Sequence, residues 1–375
     1  MGAAPGLHRL AGPLARCAAR ALKLLPSDRA KGNLMRSCVI AALAGLVSAV
    51  ACGPTMAWGP GGHQAVGALA QKLIAGTHAG QEARRLLGGM NLAQVSVWAD
   101  CAKGVSEQTL RYESAGRYEE CRVFENQPGG TDRMVDFVRR NLANCEIHPG
   151  EEKCHRRYHY TDVSVKQSQY RAGLAGTRDD DVVAAIVAAV RVLKEPAANT
   201  PSCAHPNEPL CFASKAEALM VLVHYVGDLH QPLHVGAIYL DSQGRAVNPD
   251  QDGLDPATST RGGNKLVTQS SNLHKIWDSV PQRLTATQVD AAWVEKARAV
   301  PRTAGNPEGW PAEWASDSLG EAKRAFDGVT FHSKSHGLWP IELPADYTSR
   351  IVTAKETQLT AGGAHLAQLL QDIWP

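Results

Sequence analysis

A chain of 375 residues, 44% of them hydrophobic, is long enough for one large domain with a full core. Its formal charge of +2 hides a split: residues 1–57 hold seven of the 39 Lys and Arg but one of the 37 acids, leaving 32 basic and 36 acidic residues from Trp58 onward, a formal −4. That balance excludes a protein that grips nucleic acid through a basic surface alone. A nucleic-acid enzyme of this composition needs another source of positive charge at its site, and bound metal is one.

In chain order, the first predicted element is a leader. Arg36 is followed by an apolar run from Val39 to Ala51, and Thr55-Met56-Ala57 places small residues where a signal peptidase would cut before Trp58. Residues 1–57 are therefore expected to be removed, with Met35 as an alternative start. A cut at Cys52, as in a lipoprotein, is the rival, although Ala49-Val50-Ala51 is a poor lipobox. The run is too short to span a bilayer, so the mature protein is expected to be secreted or periplasmic, without a membrane span.

The remainder, 58–375, reads as one domain. Helical periodicity recurs over Val66 to Ile74, Val182 to Leu193, Ala213 to Leu229, Ala291 to Ala299, Leu319 to Phe326 and Tyr347 to Ile373, with Gly/Pro-rich stretches between and little strand-like alternation. The fold class is therefore all-α. Six cysteines follow Trp58, an even number that suggests disulfides in an oxidising compartment. Neighbour pairing (Cys101–Cys121, Cys145–Cys154, Cys203–Cys211) is the simplest arrangement. The stretch from Cys101 to Cys154, with four of the six and few apolar runs, reads as a disulfide-stapled excursion from the helical core. No C-x-x-C spacing occurs, which argues against a cysteine zinc site.

The chemistry-bearing residues recur in pairs. His224 and Asp228 are four apart on an apolar helix, one turn apart on one face, which suits two ligands of one metal. Pro232 ends that helix and His234 follows in the turn. Asn272-Leu-His274-Lys-Ile-Trp277-Asp278 repeats the His/Asp pair, so His234, His274 and Asp278 make a second open site. Upstream, Trp58-Gly-Pro-Gly-Gly-His63 would begin the mature chain. The free α-amine and carbonyl of Trp58 can chelate a metal, with His63 as a further ligand, because metal binding strips the amine proton. Trp98-Ala-Asp100 and Tyr158-His159-Tyr160-Thr-Asp162 offer one more carboxylate and one more imidazole. A buried helix whose polar groups pair with one another, and a core Trp58 beside a glycine turn, are the structural alternatives.

Together these residues resemble the zinc-dependent, single-strand-specific nuclease family of fungal and plant bifunctional enzymes, with the motifs in the same order from about Trp58 to Trp374. The resemblance implies a single helical domain of the phospholipase C and zinc nuclease type, and three Zn²⁺. Asp100, His159, His224 and Asp228 would hold one. Trp58, His63 and the shared Asp228 would hold the second; His234, His274 and Asp278 the third. It further implies hydrolysis of single-stranded DNA and RNA to 5′-nucleotides by metal-activated water, with 3′-nucleotidase activity as a further expectation. Asp100 would orient the water, Asp228 would hold the metal pair and Lys103 would stabilise the phosphate; Tyr160 would stack on a base, and Asp162 and Asn264 would hydrogen-bond to it. A monomer acting on nucleic acid and nucleotides is expected. Two departures stand out: the long stretch between Asp100 and His159, and a lengthened region from about residue 240 to Gly262 with Arg261 where the family usually has a different polar residue; His365 also stands where the family usually has Arg. A zinc phospholipase C is the nearest alternative, but its first His lies further from the terminal Trp and its last ligand is typically Glu, whereas here it is Asp278. His230 is expected to be structural, and His78, His148, His155, His205, His332 and His336 to serve surface or packing roles.

Overall fold

The computed structural model describes residues 58–142, 154–195 and 210–375; the leader reading of residues 1–57 lies outside them. The centre of the molecule is the helix Lys215–Leu229. Every residue from Glu217 to Leu229 is buried, as expected for a helix that is apolar on all sides. Ser214 starts it by accepting from Glu217 N, and the Glu217 carboxylate accepts from Ala213 N in return, a near-reciprocal cap. Helix Val182–Lys194 packs along it and is capped by Asp181, whose side chain accepts from Val183 N and Ala184 N.

Around this core lie Pro60–Leu73, started by a proline in its first turn, Trp310–Ala325, and the long C-terminal helix Tyr347–Ile373. The first and last of these three pack extensively on each other. Four of the six expected helices match within two residues, and a fifth, Val66 to Ile74, is the later part of a helix that begins at Pro60. The sixth, Leu319–Phe326, is the second half of a longer helix that Trp310 and Pro311 initiate. Among the described residues no helix is long and apolar enough to cross a membrane.

Strands are short and serve as ties. Val163–Ser164 runs parallel to Gly236–Ala237, with Val163 opposite Gly236, and Thr161 N donates to the His234 carbonyl at 2.8 Å. This ladder fixes the Tyr160–Asp162 loop beside the His234 turn. A three-stranded sheet joins Leu266–Val267, Trp339–Glu342 and Thr330–Phe331. It backs a second apolar cluster containing Leu273, Trp277, Trp339 and Tyr347, which supports the helix Leu273–Asp278.

The region after Cys101 is more than an excursion. The Cys101–Cys121 bond is present, and Cys211 is also disulfide-bonded; Cys145 and Cys203 lie outside the described residues. Helix Gly130–Leu142 sends Met134, Phe137 and Val138 into the main core, with Phe137 edge-on to Trp98 at 5.1 Å. Its apolar residues stand at helical spacing, but charged neighbours such as Asp132, Arg133, Asp136, Arg139 and Arg140 obscure the stripe.

Candidate metal centre

Three clusters of His and Asp side chains converge, all buried: Asp100, His159 and His224; His63, His224 and Asp228; and His234, His274 and Asp278. The central helix brings His224 and Asp228 onto one face, with His224 Nε2 3.1 Å from Asp228 Oδ2. His159 Nδ1 lies 2.9 Å from the same oxygen and 3.8 Å from Asp100 Oδ1. His63 Nε2 approaches the other oxygen, Asp228 Oδ1, at 3.3 Å, and its ring stacks on His224 at 3.9 Å. That close approach needs Gly227, since a Cβ there would meet His63 Nδ1 at 2.6 Å. His234 Nδ1 is 3.6 Å from Asp228 Oδ1, so Asp228 lies between all three clusters.

The donor atoms fit a cation. His234 Nδ1 donates to the His159 carbonyl at 2.6 Å and His274 Nδ1 to the Gly262 carbonyl at 2.7 Å. A carbonyl only accepts, so each ring keeps its proton on Nδ1 and turns an Nε2 lone pair inward. The two Nε2 atoms stand 3.1 Å apart, a repulsive pairing unless an ion sits between them. Two tetrahedral nitrogen ligands of one zinc would be about 3.3 Å apart. His224 follows the same rule, with Nδ1 on the Ser96 carbonyl at 2.5 Å. Both ring nitrogens of His63 and Asp228 Oδ1 are buried without a hydrogen bond, a costly arrangement that a shared cation removes.

Electrostatics point the same way for three of the imidazoles, while two members differ: burial opposes protonation of His224 but Asp228 and Asp100 raise it, and burial pushes Asp278 well above the usual carboxylate range. Burial, and then the neighbouring His224, lower His63 to about 4. Burial and then His234 lower His274 to about 3. Burial and then Lys103 hold His159 well below its ordinary value. These imidazoles are neutral and offer lone pairs at mildly acidic pH. Burial alone would raise Asp228, but His224, His234 and His159 outweigh it and hold it well below the usual carboxylate range. Burial likewise opposes ionisation of Asp100, yet Lys103 and then His224 bring it down to about 2.

Trp58 is fully buried, and the next residue ties the segment to the third cluster, Gly59 N donating to the Asp278 carbonyl at 2.8 Å. A family comparison settles what kind of chain carries this arrangement: the S1/P1 Nuclease family model matches residues 58–375. The chain belongs to the S1/P1 nuclease family. It is similar to Endonuclease 3 of Arabidopsis thaliana, 30% identical over 126 residues that cover 32% of this chain and 34% of that protein. Endonuclease 4 of the same plant is 25% identical over 194 residues, covering 46% of this chain and 56% of the relative. The matches thus span about a third and about half of those relatives. The His and Asp clusters accord with a metal-dependent family of this kind.

Beside the clusters of this S1/P1 chain opens a cleft lined in part by Lys103, Tyr160, Asp162, Asn264, His159, His234 and His274. All three residues expected to contact a base are here. The Asp162 carbonyl accepts from Tyr239 Oη at 2.7 Å, and its N–H donates to Gly176. Asn264 donates Nδ2 to the Arg261 carbonyl and keeps Oδ1 buried without a partner. Lys103 is 2.6 Å from Asp100 Oδ1, both nearly buried.

Residues that the sequence reading missed complete the shell. Gln231 donates to Asp278 Oδ1 at 2.7 Å while its own oxygen accepts from Leu233 N. Lys355, on the C-terminal helix, donates to the Ile276 and Ser279 carbonyls at 2.7 and 2.6 Å, capping the helix that carries His274 and Asp278. Gln231 stands inside the His-Gln-Pro-Leu-His run and had a local signal; Lys355 had none. Arg156 and Arg261 also line the cleft. Among the other histidines, His230 terminates the central helix and meets His365 at 2.8 Å, with His365 stacked on Trp314. His155 is buried beside Glu107, and His148 and His205 lie outside the described residues.

Proposed function

We propose that this chain is a secreted zinc-dependent endonuclease that hydrolyses single-stranded DNA and RNA to 5′-nucleotides, with 3′-nucleotidase activity at the same site. The observation that carries the reading is the set of inward-facing lone pairs on His234, His274 and His224 around a shared Asp228, next to a cleft that holds Tyr160 and Asp162. Three Zn²⁺ and three Asp ligands leave roughly three positive charges, which explains how a chain of net acidic composition draws in a phosphodiester. Zinc, when bound, supplies a water that is deprotonated near neutral pH and a charge that stabilises the phosphate.

The chain's own residues do the rest. Trp58 joins His63 and Asp228 through its amine and carbonyl once the leader is cut. Asp100, beside His159, would orient the attacking water. Lys103 reaches the developing phosphate charge from the cleft side. Tyr160 stacks on an unpaired base, worth roughly 1–3 kcal/mol without regard to its identity, while Asp162 and Asn264 Oδ1 accept from its edge. A base drawn into the cleft has left its stack, which favours single strands.

The test offers purified mature protein, with zinc, denatured DNA, RNA and phosphatidylcholine. Release of 5′-mononucleotides that a chelator stops is the expected result. Activity on lipid alone would replace this reading with the phospholipase one, and no release from either class would refute both. N-terminal sequencing of exported protein should begin at Trp58, and the purified protein should sediment as a monomer.

A further inference from the structure

Two cations in the cleft belong to no step above. Arg156 and Arg261 line it together with Lys103, and both are half-buried rather than splayed on the surface. Arg261 is held in an unusual way. Its φ is +51°, in the left-handed region that a non-glycine residue rarely enters, and Gly262 and Gly263 continue that conformation. The strained turn is fixed on both sides: Arg261 N donates to Ser259 Oγ at 3.1 Å, and the Arg261 carbonyl accepts from both Asn264 N and Asn264 Nδ2 at 3.0 Å. Strain that the surroundings maintain at the lip of a site is characteristic of a functional constraint.

The same turn fixes two other groups of the cleft, since the Gly262 carbonyl holds the His274 ring and the Arg261 carbonyl holds the Asn264 amide. Arg261 is thus carried on the piece of backbone that aligns a candidate metal ligand and a base contact. Arg156 comes from a different element, the short helix Cys154–Arg157, which ends two residues before His159. Three cations, Lys103, Arg156 and Arg261, line the cleft against one carboxylate, Asp162. Yet from Trp58 onward the chain has four more acids than bases, so this concentration of cations is local. Guanidinium groups that line a cleft suit the oxyanions of phosphate, which each can meet with two parallel N–H bonds.

We infer that Arg156 and Arg261 form a second phosphate subsite, which binds the phosphate of the substrate strand adjacent to the one being cleaved. The inference rests on the nuclease reading and deepens it. The substrate becomes a strand with at least two consecutive phosphates, and a dinucleoside monophosphate leaves the subsite empty.

Short thymidine oligonucleotides test it, using the zinc-loaded mature protein. One trinucleotide carries two ordinary phosphodiesters; in its partners one linkage or the other is a charge-neutral methylphosphonate; TpT is the single-phosphate control. For the wild type, neutralising the flanking linkage should lower kcat/KM at the remaining one by roughly tenfold or more, the effect of losing a charge-assisted contact. In Arg156→Gln and Arg261→Gly that penalty should shrink toward one, while turnover of TpT stays within about twofold of wild type. Glycine at 261 suits the positive φ, so this variant removes the guanidinium without burdening the turn. Zinc content should be unchanged, and the salt dependence for longer strands should fall by a slope of about 0.7 per contact removed. A wild type indifferent to the neutral linkage, or variants that lose TpT and trinucleotide turnover equally, would overturn the subsite while leaving the nuclease reading intact. Failure of the wild type to cleave any of these substrates would instead remove the nuclease reading, and the subsite with it.

Discussion

Gly59 and Asp278, more than two hundred residues apart in sequence, share a backbone hydrogen bond of 2.8 Å. The bond places the residue after Trp58 against the last member of the third cluster. The beginning of the domain is therefore seated on the same helix end whose side chain joins His234 and His274.

The first prediction follows from that seating. A protein that keeps Ala57 ahead of Trp58 has no free α-amine at this place. It should purify folded, with one zinc fewer than the protein cut before Trp58, and with at least a hundredfold lower activity, on the scale of losing a preorganised catalytic element. Metal analysis and turnover on denatured DNA measure both. Equal zinc content and full activity in the uncut form would remove Trp58 from the ligand set.

Gln231 and Lys355 hold the third cluster without belonging to it. Gln231→Leu should weaken zinc binding there by roughly 10–100-fold, the usual effect of removing a group that orients a ligand. Lys355→Met leaves the Ile276 and Ser279 carbonyls without their donor and should cost about 1–3 kcal/mol of stability. Competition with a chromogenic chelator reads the first effect and denaturant unfolding the second. A Gln231→Leu protein with wild-type affinity would show that Asp278 needs no such support.

Lys103 acts on a different quantity. Lys103→Met should lower kcat by about 10²–10³ if the ammonium stabilises charge that develops at the phosphate, with zinc stoichiometry unchanged. A loss of metal in parallel with activity would instead identify the Lys103–Asp100 pair as support for the first cluster alone.

The pH dependence has a definite sign. Burial lowers His63 and His230 to about 4 and His274 to about 3, whereas in the unfolded chain each titrates near 6.5. Between those values the unfolded chain binds more protons, so stability falls as pH falls. The contribution of these three histidines to the Tm of the metal-free protein should be full above pH 6.5 and be lost on the way down to about 3, whereas His224 and Asp278, both raised, contribute in the opposite sense. Zinc occupancy should hold at pH 5, because protons compete for His63 and His274 only near their lowered values. Scanning calorimetry of chelator-treated protein and metal analysis after equilibration at pH 5 give the two readings; zinc lost through a midpoint near 6.5 would contradict them.

Much of this architecture is readable from local pattern. His224/Asp228 and His274/Asp278 announce themselves because i, i+4 spacing fixes both members on one helical face whatever the tertiary structure. Asp181, Ser214 and Asn272 each stand one residue before a helix, where short polar side chains cap it. Other features arise only from long-range geometry. Nothing near Lys355 in sequence points to the end of a helix some eighty residues away. Helix Gly130–Leu142 was legible in its apolar residues but masked by the charges between them. Arg261 was visible as a departure, but its positive φ and its place at the cleft depend on how Thr260, Gly262 and Gly263 fold around it.

The burial of the central helix has a consequence for exchange rates. An ion lodged among His63, His224 and Asp228 is walled in by side chains with no exposed surface. Its departure needs several buried ligands to let go together, which slows its exchange relative to an ion held by exposed side chains. A chelator should strip such a centre slowly at 25 °C and quickly near the melting temperature, and the enzyme should survive long dilution in metal-poor surroundings.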